Sequence, residues 1–254
     1  MKNPRRREDS MGVKKVYAVT AIAVILLAVA GCVDERSFYI SRNLIPTDTC
    51  EYPASEDIFR GSGVLDVSEG LGYWLFPRLH SKLQSSAGKD GQPERNNLFL
   101  REIEVELDLG PLPPPAGTNE FSLELTKFTI PVSGVITPGG NVSMSVEIVP
   151  DSLVKVIGMP PGTEATIYAT VSVMAEHNGR RVDSSAFLYP IELCNGCLVQ
   201  RPKDNVCPYR DDIPATYNNP CELTQDQHVI CCVTEAGIAT CDRNNFPAKN
   251  SGTL

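Results

Sequence analysis

The stretch Thr163–Glu176 reads T-E-A-T-I-Y-A-T-V-S-V-M-A-E, and it is apolar at every second position. The alternating apolar residues are Ala165, Ile167, Ala169, Val171, Val173 and Ala175. A period of two places successive side chains on opposite faces of a strand. Asn178-Gly179 follows, and Arg181–Leu193 is a second strand-like run. Because Asn-Gly between two such runs is a strong turn signal, the stretch predicts a half-buried antiparallel β-hairpin.

Similar alternation recurs along the chain before this hairpin. Strands are predicted at 98–109, 121–128, 130–136 and 142–148, with a polar loop over 84–97 and one helical turn within 151–158. Pro77 predicts an edge strand or two short strands, since proline removes a ladder donor. Seven to nine short strands indicate an all-β fold, an antiparallel β-sandwich over residues 61–193 that is immunoglobulin-like in general shape. The antibody-type Cys-Trp-Cys pattern is absent.

Two features of the predicted sandwich suggest ligands. Trp74, the single tryptophan, is expected to anchor the core, whereas sugar stacking would need an exposed ring beside a groove. One face of the 98–109 strand carries four carboxylates: Glu102, Glu104, Glu106 and Asp108. We expect a solvated face, with calcium binding as the alternative. Paired catalytic carboxylates usually come from different strands, so this row is weak support for a glycosidase.

The N-terminal region contains the apolar run Val16–Cys32, preceded by Lys14 and Lys15 and ending in V-A-G-C. The order of basic residues, apolar stretch and small residues is typical of a signal peptide. Its last four residues resemble the lipobox of bacterial lipoprotein signal peptides. This resemblance implies cleavage before Cys32 and acylation of Cys32, which anchors the chain to the lipid bilayer.

The anchor defines the expected domain organisation. Residues 1–31 form the signal peptide, with Met11 as the expected true start, and residues 32–60 form a lipidated tether. Val33 instead of aspartate after the cysteine favours the outer membrane by the same resemblance. An uncleaved membrane anchor is the alternative, since 17 apolar residues almost span a bilayer.

Charge restricts the class of partner. The first 31 residues hold six of the 23 basic and two of the 31 acidic residues, leaving 17 basic and 29 acidic residues. The mature net charge of −12 argues against nucleic acid and against an anionic membrane surface, because both bind basic patches.

The chain contains nine cysteines, and eight remain once Cys32 is acylated. These eight are Cys50, Cys194, Cys197, Cys207, Cys221, Cys231, Cys232 and Cys241. An even number in an exported chain predicts disulfides, although eight cysteines allow 105 connectivities. If all eight pair within the chain, Cys50 must reach the C-terminal cluster, at least 144 positions away.

Residues 194–254 have few apolar residues and predict a small Cys-rich module held by cross-links. A short hairpin is expected around Glu235-Ala-Gly, and adjacent Cys231 and Cys232 should take different partners because they face opposite sides of a strand. Zinc would use Cys194 and Cys197 with Cys207 and Cys221, or with His228, but the spacing is imperfect. A thioredoxin-like site lacks its βαβ setting.

The arrangement of Cys32 and the tail from Cys194 to Cys241 resembles uncharacterised outer-membrane lipoproteins of myxobacterial type. Such families bring no known activity. No hydrolase, phosphate-binding or dinucleotide motif occurs, so we expect a non-enzymatic protein without cofactor. Its expected role is structural or in binding another envelope protein. The alternatives are a carbohydrate- or calcium-binding module and a hydrolase with an undetected site.

Overall fold

A computed structural model describes residues 36–47, 49–54, 57–85, 94–115, 117–209, 212–213, 219–234, 237, 239–241 and 246–247. The expectations for the signal peptide, Met11, Cys32 and Val33 fall outside these residues. Everything described below belongs to one unit that runs from Arg36 to the C-terminus.

The first sheet has four strands in the order β2-β1-β5-β8. They are β1 (Phe38–Leu44), β2 (Phe59–Arg60), β5 (Pro77–Ser81) and β8 (Asn141–Ser143). All of its pairings are antiparallel. A further pair, β4 (Tyr73–Leu75) with β9 (Val146–Val149), keeps the register of β5 with β8 at Trp74 and Leu75, where residue numbers of partners sum to 221 as in β5–β8. The register shifts by one at Tyr73, which pairs with Val149. The predicted interruption at Pro77 is therefore confirmed as two short strands.

The second sheet has the order β3-β12-β10-β6-β7, with β11 also paired to β10. Its strands are β3 (Gly63–Asp66), β6 (Leu98–Asp108), β7 (Lys127–Ile136), β10 (Glu164–His177), β11 (Arg180–Asp183) and β12 (Phe187–Cys194). Only β3 pairs in parallel, with β12. The predicted Asn178-Gly179 turn is confirmed, with His177 opposite Arg180. The single strand expected over 181–193 is wrong in extent, because the run divides into β11 and β12.

One hydrophobic cluster lies between the two sheets. The alternation in β10 is confirmed, because Ile167, Ala169, Val171, Val173 and Ala175 are all fully buried. Phe38 and Leu79 contribute from the first sheet. Each fully buried large aliphatic side chain stabilises the fold by roughly 1.5–3 kcal/mol. The all-β sandwich predicted from sequence is thus the observed fold class.

Two expectations about local structure are wrong. The segment expected as a tether contributes strand β1, whose Phe38 and Ile40 are buried. A bulge between Ile40 and Arg42 breaks the alternation there, which hides the strand in the sequence. Likewise, the strand expected at 121–128 begins only at Lys127, after helical turn α1 (Leu123–Thr126).

Short elements complete the fold, one between the sandwich strands and four within the tail. A second helical turn, α2 (Asp151–Val154), precedes β10. In the tail, β13 (Val199–Gln200) pairs in parallel with β14 (Val229–Ile230), and β15 (Cys232–Val233) pairs antiparallel with β16 (Ala239–Thr240). The last pair confirms the short hairpin expected in the tail. Among the described residues, no helix is both long and apolar enough to cross a bilayer.

Candidate functional site

Four disulfides join all eight cysteines that follow Cys32. The pairs are Cys50–Cys221, Cys194–Cys197, Cys207–Cys232 and Cys231–Cys241. The prediction that Cys50 reaches the C-terminal cluster is confirmed, across a separation of 171 residues. The prediction that Cys231 and Cys232 take different partners is confirmed as well. Disulfides of this number indicate an oxidising, extracytoplasmic environment.

The tail joins the sandwich through the docking segment, which we define as Cys221–Asp226. Its backbone runs beside β3: the Asp66 amide donates to the Thr224 carbonyl at 2.8 Å, and the Asp226 amide donates to the Val64 carbonyl at 2.8 Å. Since β3 is the outer strand of its sheet, the docking segment covers that edge. Covering an edge removes a template for unwanted strand pairing.

A buried ion-pair cluster fixes the docking segment. Arg60 binds Glu222 through its two terminal guanidinium nitrogens and also contacts an Asp226 carboxylate oxygen at 3.1 Å. The Glu222 and Asp226 side chains are almost fully buried. Burial raises the pKa of both carboxyls, and the facing Arg60 charge partly offsets that effect. Removing one partner would leave a buried charge uncompensated, so this cluster fixes one arrangement of the tail.

Two tyrosines extend the cluster into the core. The Tyr73 hydroxyl donates to Asp226 at 2.6 Å and lies 3.0 Å from the Tyr189 hydroxyl. Asn43 in turn donates to the Tyr189 hydroxyl at 2.8 Å. Burial raises the pKa of Tyr189 to about 12 and raises the pKa of Tyr73 well above its usual value. Both phenols therefore stay neutral at physiological pH, as hydrogen-bonding groups and not as nucleophiles.

Asp66 organises the chain where the tail leaves the sandwich. Its carboxylate accepts four backbone N–H bonds, from Ser68, Gly196, Leu198 and Val199, at 2.8–3.0 Å. Burial alone would raise the pKa of Asp66, but these N–H groups outweigh burial and hold the pKa below its usual value. The Cys194–Cys197 disulfide closes the same loop. This is a structural site in which every carboxylate lone pair is satisfied.

Trp74 lies at the surface, so the expectation that it anchors the core is wrong. Its side chain is 43% exposed, while neighbouring Tyr73 and Leu75 are fully buried. The docking segment holds the Trp74 backbone: its N–H donates to Gln225 Oε1 at 2.7 Å, and Gln225 Nε2 donates to its carbonyl at 3.0 Å. Glu147 lies opposite Trp74 in the ladder. Partial burial and the nearby Asp151 carboxylate raise the pKa of Glu147.

The predicted carboxylate row faces outward on β6. Lys127 Nζ lies 3.4 Å from Glu104 and 2.8 Å from Glu106, and the hydrogen bond to Glu106 is the main reason that its pKa is raised. Arg181 lies 3.9 Å from Glu102. Three of the four carboxylates are thus paired with side-chain cations, as expected of an outward, solvated face.

Zinc and redox chemistry at Cys194-x-x-Cys197, which the sequence already disfavours, does not fit the structure. Asp66 lies close enough to both sulfurs to share a metal ion, but the sulfurs are bonded to each other and provide no thiolate. Cys207 and Cys221 are also in disulfides. Elsewhere, His80 Nδ1 lies 2.9 Å from Asn141 Oδ1 and His177 Nε2 lies 3.0 Å from Asn178 Nδ2, in separate parts of the fold.

No protein-family model matches the chain, and no curated protein matches it. Among solved structures, a late embryogenesis abundant (LEA) protein determined in solution gives a TM-score of 0.34 at 12% identity. The alignment covers 76% of this chain and 95% of that chain. Similarity at this level carries no inference about function.

Sequence reasoning identified the cysteines but missed the polar residues around them. Arg60, Asp66, Glu222, Gln225 and Asp226 meet only because the tail folds back on β3 and β4. One signal was present: Asp66 occupies a position within the apolar stretch G-V-L-D-V that opens the sandwich. A charge there requires internal partners, since an isolated buried carboxylate is costly.

Proposed function

We propose that the protein is an exported lipoprotein, anchored through acylated Cys32, with a non-enzymatic structural or protein-binding role in the cell envelope. The observation that carries this proposal is the cysteine count. Four disulfides use Cys50 and the seven tail cysteines, so every cysteine except Cys32 has a partner in the chain. Cys32 follows a signal-like apolar run in the position that lipoproteins acylate.

The described groups suit a durable scaffold better than a catalyst. The buried titratable groups Arg60, Glu222 and Asp226 bind one another and hold the tail. In an active site, by contrast, perturbed groups converge on a cleft that admits a substrate. The role of this cluster is to fix one arrangement of tail and sandwich.

Fatty-acid labelling tests the anchor. Cells that express the chain receive an alkyne-tagged fatty acid, and the wild-type protein should incorporate it while Cys32→Ser should not. Mass spectrometry should then find Cys32 as the acylated N-terminal residue of the mature protein. A mature wild-type protein that begins elsewhere, or that carries no lipid, would contradict the proposal.

A second candidate function is carbohydrate binding at Trp74. The exposed indole is the kind of flat apolar surface on which a sugar ring stacks, and Glu147 opposite it offers a carboxylate for sugar hydroxyls. Aromatic rings with a polar neighbour are typical of sites that hold an amphipathic ligand. The outward direction of Trp74 favours this over calcium binding at the β6 carboxylates.

Because Trp74 is the single tryptophan, its fluorescence reports on this site without background. Titration with cell-wall oligosaccharides should shift the emission to shorter wavelength and saturate, and Glu147→Gln should weaken the binding. Glu104→Gln, on the β6 face, is the matched control. An emission spectrum that no envelope glycan changes would rule out the second candidate while leaving the anchor proposal intact.

A further inference from the structure

The two outer faces of the sandwich carry opposite charge. On the first sheet, β1, β5 and the residue that follows β5 carry three cations and two rings, which we call the basic patch: Tyr39, Arg42, Arg78, His80 and Lys82. The ladder places Tyr39 opposite His80 and Arg42 opposite Arg78. Lys82 follows β5 directly and is exposed.

The basic patch is ordered by its own contacts. Lys82 Nζ lies 5.3 Å from the centroid of the Tyr39 ring, and Tyr39 and His80 contact edge to face. Arg42 and Arg78 share the Asp57 carboxylate, at 3.0 and 3.6 Å. Lys82 adds an exposed positive charge beside the Tyr39 ring. Asp57 is 86% exposed, so solvent weakens its pairing.

The outer face of the second sheet is acidic. Its outward positions include Glu102, Glu104, Glu106, Asp108, Glu164, Glu176 and Glu192, with Arg101, Lys127 and Arg181 as counter-charges. Packed sheets stand about 10 Å apart, so the charged tips on opposite faces are separated by more than the Debye length of about 8 Å at physiological salt. The net charge of −12, which argued against an anionic surface, therefore does not describe the basic patch.

The basic patch is also connected to the proposed anchor by a short length of chain. The Lys82 amide donates to the Ser37 carbonyl at 2.8 Å, and Ser37 is five positions after Cys32. Five residues span at most about 18 Å of extended chain. An acylated Cys32 would hold Lys82 within this distance of the lipid headgroups.

We propose that the basic patch docks on the anionic headgroups of the membrane in which Cys32 is anchored. This inference rests on the proposed acylation of Cys32, and it adds an orientation to the anchor. Exposed Lys82, the neighbouring Arg42 and a short connection to the lipid all favour headgroup phosphates as the occupant. Docking turns the acidic face of β6 and β10 away from the membrane.

The test uses the acylated mature chain in vesicles of phosphatidylcholine alone or mixed with phosphatidylglycerol. An amine-reactive reagent modifies exposed lysines, and mass spectrometry compares Lys82 with Lys155, which directly follows α2 and whose side chain is 64% exposed. In the anionic vesicles Lys82 should react roughly 5-fold more slowly relative to Lys155, since one basic residue at such a surface contributes about 1 kcal/mol. The protection should disappear at 1 M salt, where the Debye length is about 3 Å.

Two charge-reversal variants distinguish docking of the basic patch on the headgroups from simple nearness of the patch to the membrane. Lys82→Glu should abolish the protection of His80 against diethylpyrocarbonate in anionic vesicles, whereas the matched variant Lys155→Glu should retain it. Equal Lys82 reactivity in both kinds of vesicle, with the protein still acylated and bound, would overturn docking and leave the anchor intact. Protection of Lys82 and Lys127 together, rising with protein density in both vesicles, would instead show self-association of the basic and acidic faces and would also overturn docking.

If fatty-acid labelling fails, the two proposals remain distinguishable. The unacylated chain would then be mixed with both kinds of vesicle and recovered by flotation. Recovery with phosphatidylglycerol vesicles alone, weakened by Lys82→Glu, would support the basic patch without the anchor. Recovery with neither kind would overturn the patch.

Discussion

A single carboxylate, Asp66, determines how the chain passes from the sandwich into its tail. It accepts hydrogen bonds from N–H groups on both sides of the boundary between sandwich and tail. One donor is Ser68 in the sandwich, and the others follow β12: Gly196, Leu198 and Val199. A buried charge would normally destabilise the fold, but four donors replace the water that it loses. Asp66 therefore acts as the centre around which the disulfide loop is shaped.

Asp66→Asn should lower the free energy of unfolding by about 2–3 kcal/mol at neutral pH, since an amide nitrogen would face backbone donors and leave them unsatisfied. The folded pKa of Asp66 lies below its usual 3.8, so its contribution is present above that value and is lost as pH falls through the folded pKa. The difference between variant and wild type should therefore shrink in acid.

Urea denaturation of both proteins, from neutral pH to about pH 2, measures this difference. The series extends below pH 3.8 because the folded pKa of Asp66 lies below that value. Asp204→Asn, at an exposed position, is the matched control and should leave the stability unchanged within about 0.5 kcal/mol. A stability difference that does not change as pH falls below 3.8 would contradict the assigned role of the charge.

The ring of Tyr73 leaves no room for a side chain at Gly63. A Cβ at Gly63 would overlap the Tyr73 hydroxyl and ring atoms, and that ring is fully buried and bonded to Asp226. Gly63→Ala should therefore destabilise the fold by about 1–3 kcal/mol, as overpacking does in closed cores. Gly61→Ala, two residues earlier and with no neighbour in reach of its Cβ, should change the thermal midpoint little. Equal midpoints for the two variants would refute the close packing.

At the scale of elements, the docking segment takes the place of a neighbouring strand for both β3 and β4. Its backbone pairs with β3, and its Gln225 side chain provides the acceptor and donor that Trp74 in β4 would otherwise find in a neighbouring strand. The amide of a glutamine side chain has a carbonyl acceptor and an N–H donor, so it can make the two hydrogen bonds that a backbone peptide group makes between paired strands. Six tail residues thus cover both edges without forming a regular strand.

Gln225→Glu tests this imitation of a strand. The substituted carboxylate keeps the acceptor for the Trp74 N–H but places a second oxygen against the Trp74 carbonyl, so we expect a loss of about 1–3 kcal/mol. Gln200→Glu adds the same charge at an exposed position and is the control. Trp74 fluorescence during urea unfolding reads the loss directly. A wild-type midpoint for Gln225→Glu would show that the amide contributes nothing.

The elements that sequence predicted are those with unbroken local patterns. Strand β10 alternates without interruption, and all its inward residues from Ile167 to Ala175 are buried. Strand β1 escaped prediction because its bulge shifts the period at Ser41. The docking segment escaped because C-E-L-T-Q-D has the composition of a polar turn. Its partners lie some 150 residues earlier, and no local pattern contains that pairing.

At the scale of the whole molecule, the Cys50–Cys221 bond joins the two ends of the sandwich region. It connects the segment that follows β1 to the first residue of the docking segment. The cluster of Arg60, Glu222 and Asp226 lies immediately after that bond. The covalent link thus holds the docking segment near its site even when the ion pairs open, because it limits how far the tail can separate.

Removing this disulfide should cost more than removing a local one. In the chain-entropy model a loop closed over 171 residues stabilises by about 5 kcal/mol, whereas the three-residue separation of Cys194–Cys197 gives about 2 kcal/mol. We therefore expect Cys50→Ala with Cys221→Ala to lower the urea midpoint more than Cys194→Ala with Cys197→Ala. Paired substitutions avoid leaving a free thiol. A smaller loss of stability on removing Cys50–Cys221 than on removing Cys194–Cys197 would contradict this expectation. The buried ion pairs and Asp66 would then hold the tail without help from the long-range disulfide.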